Sequence, residues 1–253
     1  MKTYGLLGYP LGHSFSRGFF TEKFQREHID AQYINFELPT MDEYLPTLDK
    51  YPTLCGHNVT IPYKQQIIPY LDSLSDEAAA IGAVNVVKVS WKNGIRHLRG
   101  YNSDVIGFVE SIRPLMTLHH RKALILGTGG ASKAIYYGLK EKLGIEDVRH
   151  VSRSTNNILP GDFTYSDLTA DIIQQYTIIV NCTPCGMHPH TDESPQIPYK
   201  ALTNRHLLYD LVYNPETTQF MKLGAENGAT VKNGHEMLIL QAKASWDFWT
   251  RQD

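Results

Sequence analysis

The residues best placed to do chemistry are Gly127–Ser132, "GTGGAS", which follow an apolar run, Lys122–Leu126, and open a helical one. A glycine turn between a strand and a helix suits phosphate. Gly127 permits the tight turn and Gly129 lets backbone approach a pyrophosphate. The helix N-terminus adds unpaired N–H groups and the positive end of a dipole. The third fingerprint position is Ser132 rather than glycine or alanine, a small departure. At the end of the next strand-like run stands "HVSRST", with Ser152, Arg153 and Ser154 and no acid. A carboxylate there would bind the ribose hydroxyls of NAD and repel a 2′-phosphate. A guanidinium grips such a phosphate through two parallel hydrogen bonds, so NADP is expected over NAD.

Three other stretches are weaker alone. In His57–Lys64, "HNVTIPYK", Pro62 has no N–H for a sheet ladder, so the strand stops or runs along an edge. Asn58, Thr60 and Lys64 are left where side chains can reach a cleft, although an edge strand with a solvated lysine is the simpler reading. "GYPLGHSFS" offers Ser14 and Ser16, two hydroxyls at the spacing of a carboxylate clamp, or simply a turn. Cys182 and Cys185 form C-x-x-C, but no second pair completes a zinc ribbon and no Trp precedes them, so no metal site is expected.

Composition narrows the classes. A chain of 253 residues has room for one large or two modest domains. Charged residues at 20% and hydrophobic residues at 42% are ordinary for a folded soluble protein. A formal net charge of −2 leaves no basic footprint for nucleic acid. No apolar run approaches the ~20 residues of a membrane span, and Gly and Pro interrupt the N-terminus too early for a secretory signal. Three cysteines make no disulfide framework, which points to the cytoplasm.

The elements that must position these residues fall into two textures. Up to about residue 103, strand-like runs ("TYGLLG", "AQYINFEL", "HNVTIP") alternate with helical ones, "SDEAAAIGAVNVVKV" passes from helix to strand, and Asn93-Gly94 marks a hairpin. From Lys122 onward the pattern is βαβ: a strand, the glycine turn, a helix over Ala131–Leu143, and the strand "DVRHVSRS". "TIIVNC", "HLLYDLV" and "ATVKNG" supply further strands, and an amphipathic helix closes the chain. Asp104–Leu115 is expected to be a linking helix. The fold class is α/β: a mixed N-terminal substrate domain, residues 1–103 and 236–253, plus a doubly wound Rossmann-type domain, residues 104–235, with a cleft between them.

Taken in order, "GYPLGHSFS", "NVTIPYK", "GAVNVV", "GYNSD", "GTGGAS", "NCTPCGM", "YDLVYNPETT" and "GHEMLILQA" resemble the shikimate dehydrogenase family, almost end to end and in both halves. The resemblance implies reversible, NADPH-dependent reduction of 3-dehydroshikimate to shikimate in aromatic amino-acid biosynthesis, by a monomer or homodimer. By position it implies Lys64 and Asp104 as the catalytic pair and Ser14 and Ser16 on the substrate carboxylate. Thr60, Asn85, Tyr213 and Gln241 would contact the ring hydroxyls and carboxylate. Gly127, Thr128, Gly129, Gly130 and Ala131 would bind the pyrophosphate, with Ser152 and Arg153 near the adenosine phosphate, Leu211 and Gly234 by the nicotinamide, and Asp76 near the cofactor. Some positions depart from the family: "RGFF" follows the second serine, "NVV" follows "GAV", Arg153 alone remains of a basic cluster, and Glu236 has no assignment.

Reduction of a ketone by hydride builds negative charge on its oxygen, and a protonated lysine supplies both a proton and positive potential there. Burial would lower the lysine pKa and a nearby carboxylate would raise it again. Two other functions are compatible with the pattern. A broader quinate/shikimate dehydrogenase would favour NAD through an acid after the second strand, which is missing. A catalytically silent NADP-binding regulator would have no need of Lys64 and Asp104 together.

Overall fold

The computed structural model describes residues 1–12, 15–154, 156 and 159–251. The chain divides into two compact units, Met1–Ser103 with Gln241–Asp253, and Asp104–Leu240.

The first unit is a mixed sheet with helices. It runs β1 (Lys2–Gly8), α1 (Phe15–Arg26), β2 (Ala31–Glu37), α2 (Tyr44–Leu48), β3 (Leu54–Val59), β4 (Ser73–Leu74), α3 (Asp76–Ile81), β5 (Val86–Lys92) and β6 (Ile95–Tyr101). The strand order is β2-β1-β3-β5-β6-β4. β1 pairs in parallel with β2 and β3, while β5 runs antiparallel to β3 and β6. Asn93 and Gly94, both at positive φ (53° and 77°), close the β5–β6 hairpin as the Asn-Gly pair predicts. β1 is buried from Thr3 to Gly8, as a strand covered on both faces must be. One core gathers Leu7, Leu54, Val59, Ile67 and Val87. Another gathers Tyr4, Phe20, Phe24, Tyr33 and Trp249. In the second, Phe20 stacks on Tyr33 at 4.8 Å and the Trp249 indole N–H donates to Val87 O at 3.0 Å.

The second unit runs α4 (Asp104–Ile112), β7 (Lys122–Leu126), α5 (Gly130–Tyr137), β8 (Asp147–Ser152), β9 (Phe163–Thr164), α6 (Ala170–Gln175), β10 (Ile178–Asn181), β11 (Leu207–Asp210), α7 (Gln219–Glu226) and β12 (Thr230–Asn233). It ends in α8 (His235–Thr250), a helix that continues into the first unit's segment. The order β12-β11-β10-β7-β8-β9 is parallel throughout. Counted from β7, this is the 3-2-1-4-5-6 order of doubly wound dinucleotide-binding sheets. β10 and β11 are buried along their whole length, with Ile, Val and Leu dominating, as central parallel strands require.

The expected elements need three adjustments. β3 ends at Val59 rather than Ile61: Thr60 N–H still bonds Leu7 O at 2.8 Å, but Tyr63 N–H folds back onto Thr60 O at 2.9 Å. The expected helix to Leu143 is α-helical only to Tyr137 and continues as a π-helical turn, Gly138–Lys142. β4 and β9, two residues each, are too short to leave a periodic signal. Among the described residues, no helix is long and apolar enough to cross a membrane.

Candidate active site

In the first unit, a buried polar cluster forms where β3 and β5 meet the start of the α8 segment. Asn85, 3% exposed, directly precedes β5. Its Oδ1 accepts the Ser103 backbone N–H at 2.7 Å, and its Nδ2 donates to Ser103 Oγ at 3.0 Å and Gln241 Oε1 at 3.3 Å. A backbone N–H can only donate, so the Asn85 amide has one orientation. Gln241 must then offer its oxygen to Asn85 and turn its NH2 elsewhere, as a donor.

The cluster continues through Ser245. Its hydroxyl donates to Gln241 O at 2.8 Å and accepts Asn58 Nδ2 at 2.9 Å. With the Ser245 proton on Gln241 O, the Ser103 hydroxyl is the donor left for its two neighbouring acceptors, Ser245 Oγ at 3.1 Å and Asn85 Oδ1 at 3.3 Å. Asn58 Oδ1 accepts the Tyr33 hydroxyl at 2.8 Å, and Tyr33 also interacts with Ser16 in the first turn of α1. Burial pushes the Tyr33 phenol well up, with Ser16 partly offsetting it, so Tyr33 stays a donor. A chain of polar groups thus joins Ser16, Tyr33, Asn58, Ser245, Ser103, Asn85 and Gln241. Of these, Tyr33, Ser103 and Ser245 were not among the sequence-derived candidates. Ser103 falls within the "GYNSD" motif, whereas Tyr33 and Ser245 carry no local signal.

Thr60 and Lys64 follow β3 and are half-buried. Lys64 is anchored by its own backbone, where Val84 N–H donates to Lys64 O at 2.7 Å. Val84 and Asn85, adjacent in the chain, thereby bond to Lys64 and to Ser103, the residue before Asp104. Ser14 lies outside the described residues. Asp76 is exposed in the first turn of α3, where a helix dipole accounts for an acid, and it belongs to the unit without the glycine turn.

In the second unit, Asp104 opens α4 and is 2% exposed. The glycine turn follows β7, beside the point where strand order reverses between β7 and β10. Gly127 has φ 105°, a conformation costly for any side chain, and its N–H bonds Val151 O at 2.9 Å. A Cβ at Gly129 would meet nothing within 4 Å, so the backbone there is open to a phosphate. Gly130 and Ala131 begin α5, whose first-turn N–H groups have no intrahelical acceptor. Ser132 is buried and donates to Gly129 O at 2.6 Å, so its hydroxyl closes the turn. Ser152 is buried at the end of β8 and Arg153 is exposed just beyond it. Leu211 and Tyr213 follow β11, and the Gly234 backbone lies against Leu211 O. Glu236 pairs with Lys232, which gives it a structural account.

Burial pushes the Cys182 thiol far up, with the Asp210 and Asp104 charges adding to it, and burial also raises Cys185. Neither thiol has the low pKa of a redox or metal-binding cysteine. Among the described residues no group of three His, Cys, Asp or Glu is arranged to hold a metal ion.

The fold and site define a class: an α/β protein pairing a doubly wound unit, with a glycine turn at its switch point, and a separate mixed-sheet unit rich in buried polar groups. Residues 6–87 match the shikimate dehydrogenase substrate binding domain. The chain is 37% identical to the shikimate dehydrogenase (NADP(+)) of Crocosphaera subtropica, covering 99% of this chain and 91% of that one. It is 35% identical to the enzyme of the same name from Caldanaerobacter subterraneus, covering 98% and 91%. Among solved structures, a chorismate mutase/shikimate 5-dehydrogenase fusion protein from Clostridium acetobutylicum is 33% identical with a TM-score of 0.84, over 98% of this chain and 91% of that one. Shikimate 5-dehydrogenase from Thermus thermophilus, in complex with NADP(H) and shikimate, is 28% identical with a TM-score of 0.85, over 99% and 94%. The chain belongs to the shikimate dehydrogenase family.

Proposed function

We propose that this chain catalyses the reversible NADPH-dependent reduction of 3-dehydroshikimate to shikimate, with Lys64 as proton donor and Asp104 as its acidic partner. The observation that carries this reading is the Val84–Asn85 pair: one residue bonds the Lys64 backbone, the next bonds Ser103, whose neighbour is Asp104. These two bonds hold the Lys64 backbone and the residue that precedes Asp104 to one dipeptide.

Residues 1–103, with α8 from Gln241 onward, supply most of the substrate contacts in this reading, and Tyr213 comes from the other unit. Ser14 and Ser16 bind its carboxylate, and Thr60, Asn85, Tyr213 and Gln241 bind its hydroxyls and carboxylate. The Gln241 NH2, turned away from Asn85, suits an acceptor oxygen. The Lys64 ammonium holds a proton at the substrate oxygen, where negative charge develops, and Asp104 accepts a hydrogen bond from the same hydroxyl. The doubly wound unit takes the coenzyme: Gly127–Ala131 hold its pyrophosphate, Ser152 and Arg153 its 2′-phosphate, and Leu211 and Gly234 its nicotinamide. When bound, NADPH supplies the hydride. Three free cysteines fit a reducing cytoplasm.

The test mixes purified protein with shikimate and either NADP+ or NAD+ and follows the absorbance of the reduced nicotinamide. A faster rise with NADP+ is expected. No rise with either coenzyme overturns the reading, and a faster rise with NAD+ overturns the coenzyme assignment alone.

A further inference from the structure

We propose that Asn181, Asp210 and Thr218 form a positioning hub that sets the nicotinamide half of the coenzyme, and that this is the work of the "NCTPCGM" stretch. The inference rests on the coenzyme reading above and extends it to residues that touch no ligand in that reading.

Asn181 and Asp210 are the last residues of β10 and β11 and are paired in register. Thr218 is the N-cap of α7. All three are 0% exposed. Asp210 Oδ1 accepts from Asn181 Nδ2 at 2.9 Å and from Val212 N–H at 3.0 Å, and Oδ2 accepts the Thr218 hydroxyl at 2.6 Å. Asn181 Oδ1 in turn accepts both the N–H (3.0 Å) and the hydroxyl (2.6 Å) of Thr183, while its Nδ2 reaches Cys185 O at 3.3 Å. Burial pushes the Asp210 carboxyl up to about 6 against the pull of its three donors, so it is largely ionised at neutral pH.

These bonds clip together two loops at the carboxyl ends of adjacent parallel strands, where doubly wound sheets bind their ligands. The loop after β10 carries Thr183, whose methyl is 3.0 Å from where a Cβ on Gly127 would stand, so it borders the glycine turn. The loop after β11 carries Leu211, whose N–H bonds Asn181 O at 3.0 Å, and Val212, held by Asp210. A side chain that fixes these loops acts on the coenzyme's nicotinamide end. The adenosine end, assigned to Ser152 and Arg153 past β8, is outside the hub.

The experiment measures direct binding of NADP+ and of adenosine 2′,5′-bisphosphate, which carries only the adenosine half. The variants are Asp210→Asn, the milder Thr183→Val, and the charge-conserving exchange Asn181→Asp with Asp210→Asn. Asp210→Asn is expected to weaken NADP+ about tenfold, the scale of a lost bond to a charged group. It should leave the bisphosphate within about twofold of wild type. The exchange should recover part of the loss, and Thr183→Val should follow Asp210→Asn in direction. Equal weakening of both ligands, or no change in NADP+ binding by the folded Thr183→Val protein, overturns the hub. Wild-type protein that binds both ligands without oxidising shikimate refutes the proposed activity, yet the variants still judge the hub.

Discussion

Asn85 and Ser103 hold each other by both ends of the amide: the Ser103 N–H donates to Asn85 Oδ1 at 2.7 Å and Asn85 Nδ2 donates to Ser103 Oγ at 3.0 Å. Asn85→Asp keeps the first bond and replaces the donor facing Gln241 Oε1 and Ser103 Oγ with an acceptor. Acceptor would then face acceptor at Gln241 in its present orientation, and an amide flip that relieved this would turn its oxygen to where its NH2 stood. Such a buried mismatch costs about 1–3 kcal/mol, measurable by urea unfolding. The Michaelis constant for shikimate should rise while that for NADP+ stays near wild type. An unchanged shikimate constant would remove Asn85 from the substrate site.

Lys64→Ala tests the proposed proton donor. A positioned general acid contributes roughly 10²–10⁴-fold, so turnover should fall by that order while NADP+ affinity barely moves. Survival of turnover would show that another group delivers the proton.

Arg153 is exposed after β8 with no acid between Ser152 and Ser154. Arg153→Ala removes the charged bonds expected at the 2′-phosphate, each worth about 1.5–3 kcal/mol. The constant for NADP+ should rise by about 10–100-fold, with that for NAD+ within a few-fold. Comparing the two coenzymes in one assay separates this from general damage, which would raise both.

His57 is buried between Tyr44 and its own strand. Its Nδ1 lies 3.1 Å from Asn58 O, an acceptor, so Nδ1 carries the proton and Nε2 accepts the Tyr44 hydroxyl at 2.8 Å. Burial lowers its pKa from 6.5 to about 4. The unfolded chain therefore takes up a proton first as pH falls. The contribution of neutral His57 is complete above about pH 6.5 and is lost towards pH 4, at up to about 1.4 kcal/mol per pH unit. The stability gap between wild type and His57→Gln should accordingly shrink from neutral pH down to about pH 5 in urea titrations. A gap independent of pH would mean that His57 does not stay neutral in the fold.

Gly56 on β3 gives the Trp249 indole room against the sheet. A Cβ there would overlap the indole and come within 2.8 Å of Val87 O, the acceptor of the indole N–H. Gly56→Ala should cost about 1–3 kcal/mol through overpacking, with a shift in tryptophan emission. Wild-type stability and emission would mean that the ring moves aside freely.

Much of the fold was legible because its signals are local. Short buried runs such as Lys122–Leu126 and Leu207–Asp210, the Asn93-Gly94 turn and the glycine turn are each specified by a few neighbouring residues. The Ser16–Tyr33–Asn58–Ser245 chain was not legible. Ser16 and Asn58 stand out in the sequence, but Tyr33 and Ser245 are ordinary polar residues there, and only β3 and the C-terminal helix bring the four together. Burial, which raises both thiols at Cys182 and Cys185, is something the C-x-x-C spacing could not show.

By itself the sequence determined the α/β class, the phosphate-type turn after β7 and the family, since periodicity, glycine placement and ordered motifs are properties of contiguous residues. Tertiary structure alone decided which way the Asn85 and Gln241 amides face and what Asp210 holds. An amide has a donor end and an acceptor end of nearly equal shape, and only a partner of fixed polarity, delivered from elsewhere in the chain, makes one orientation lower in energy.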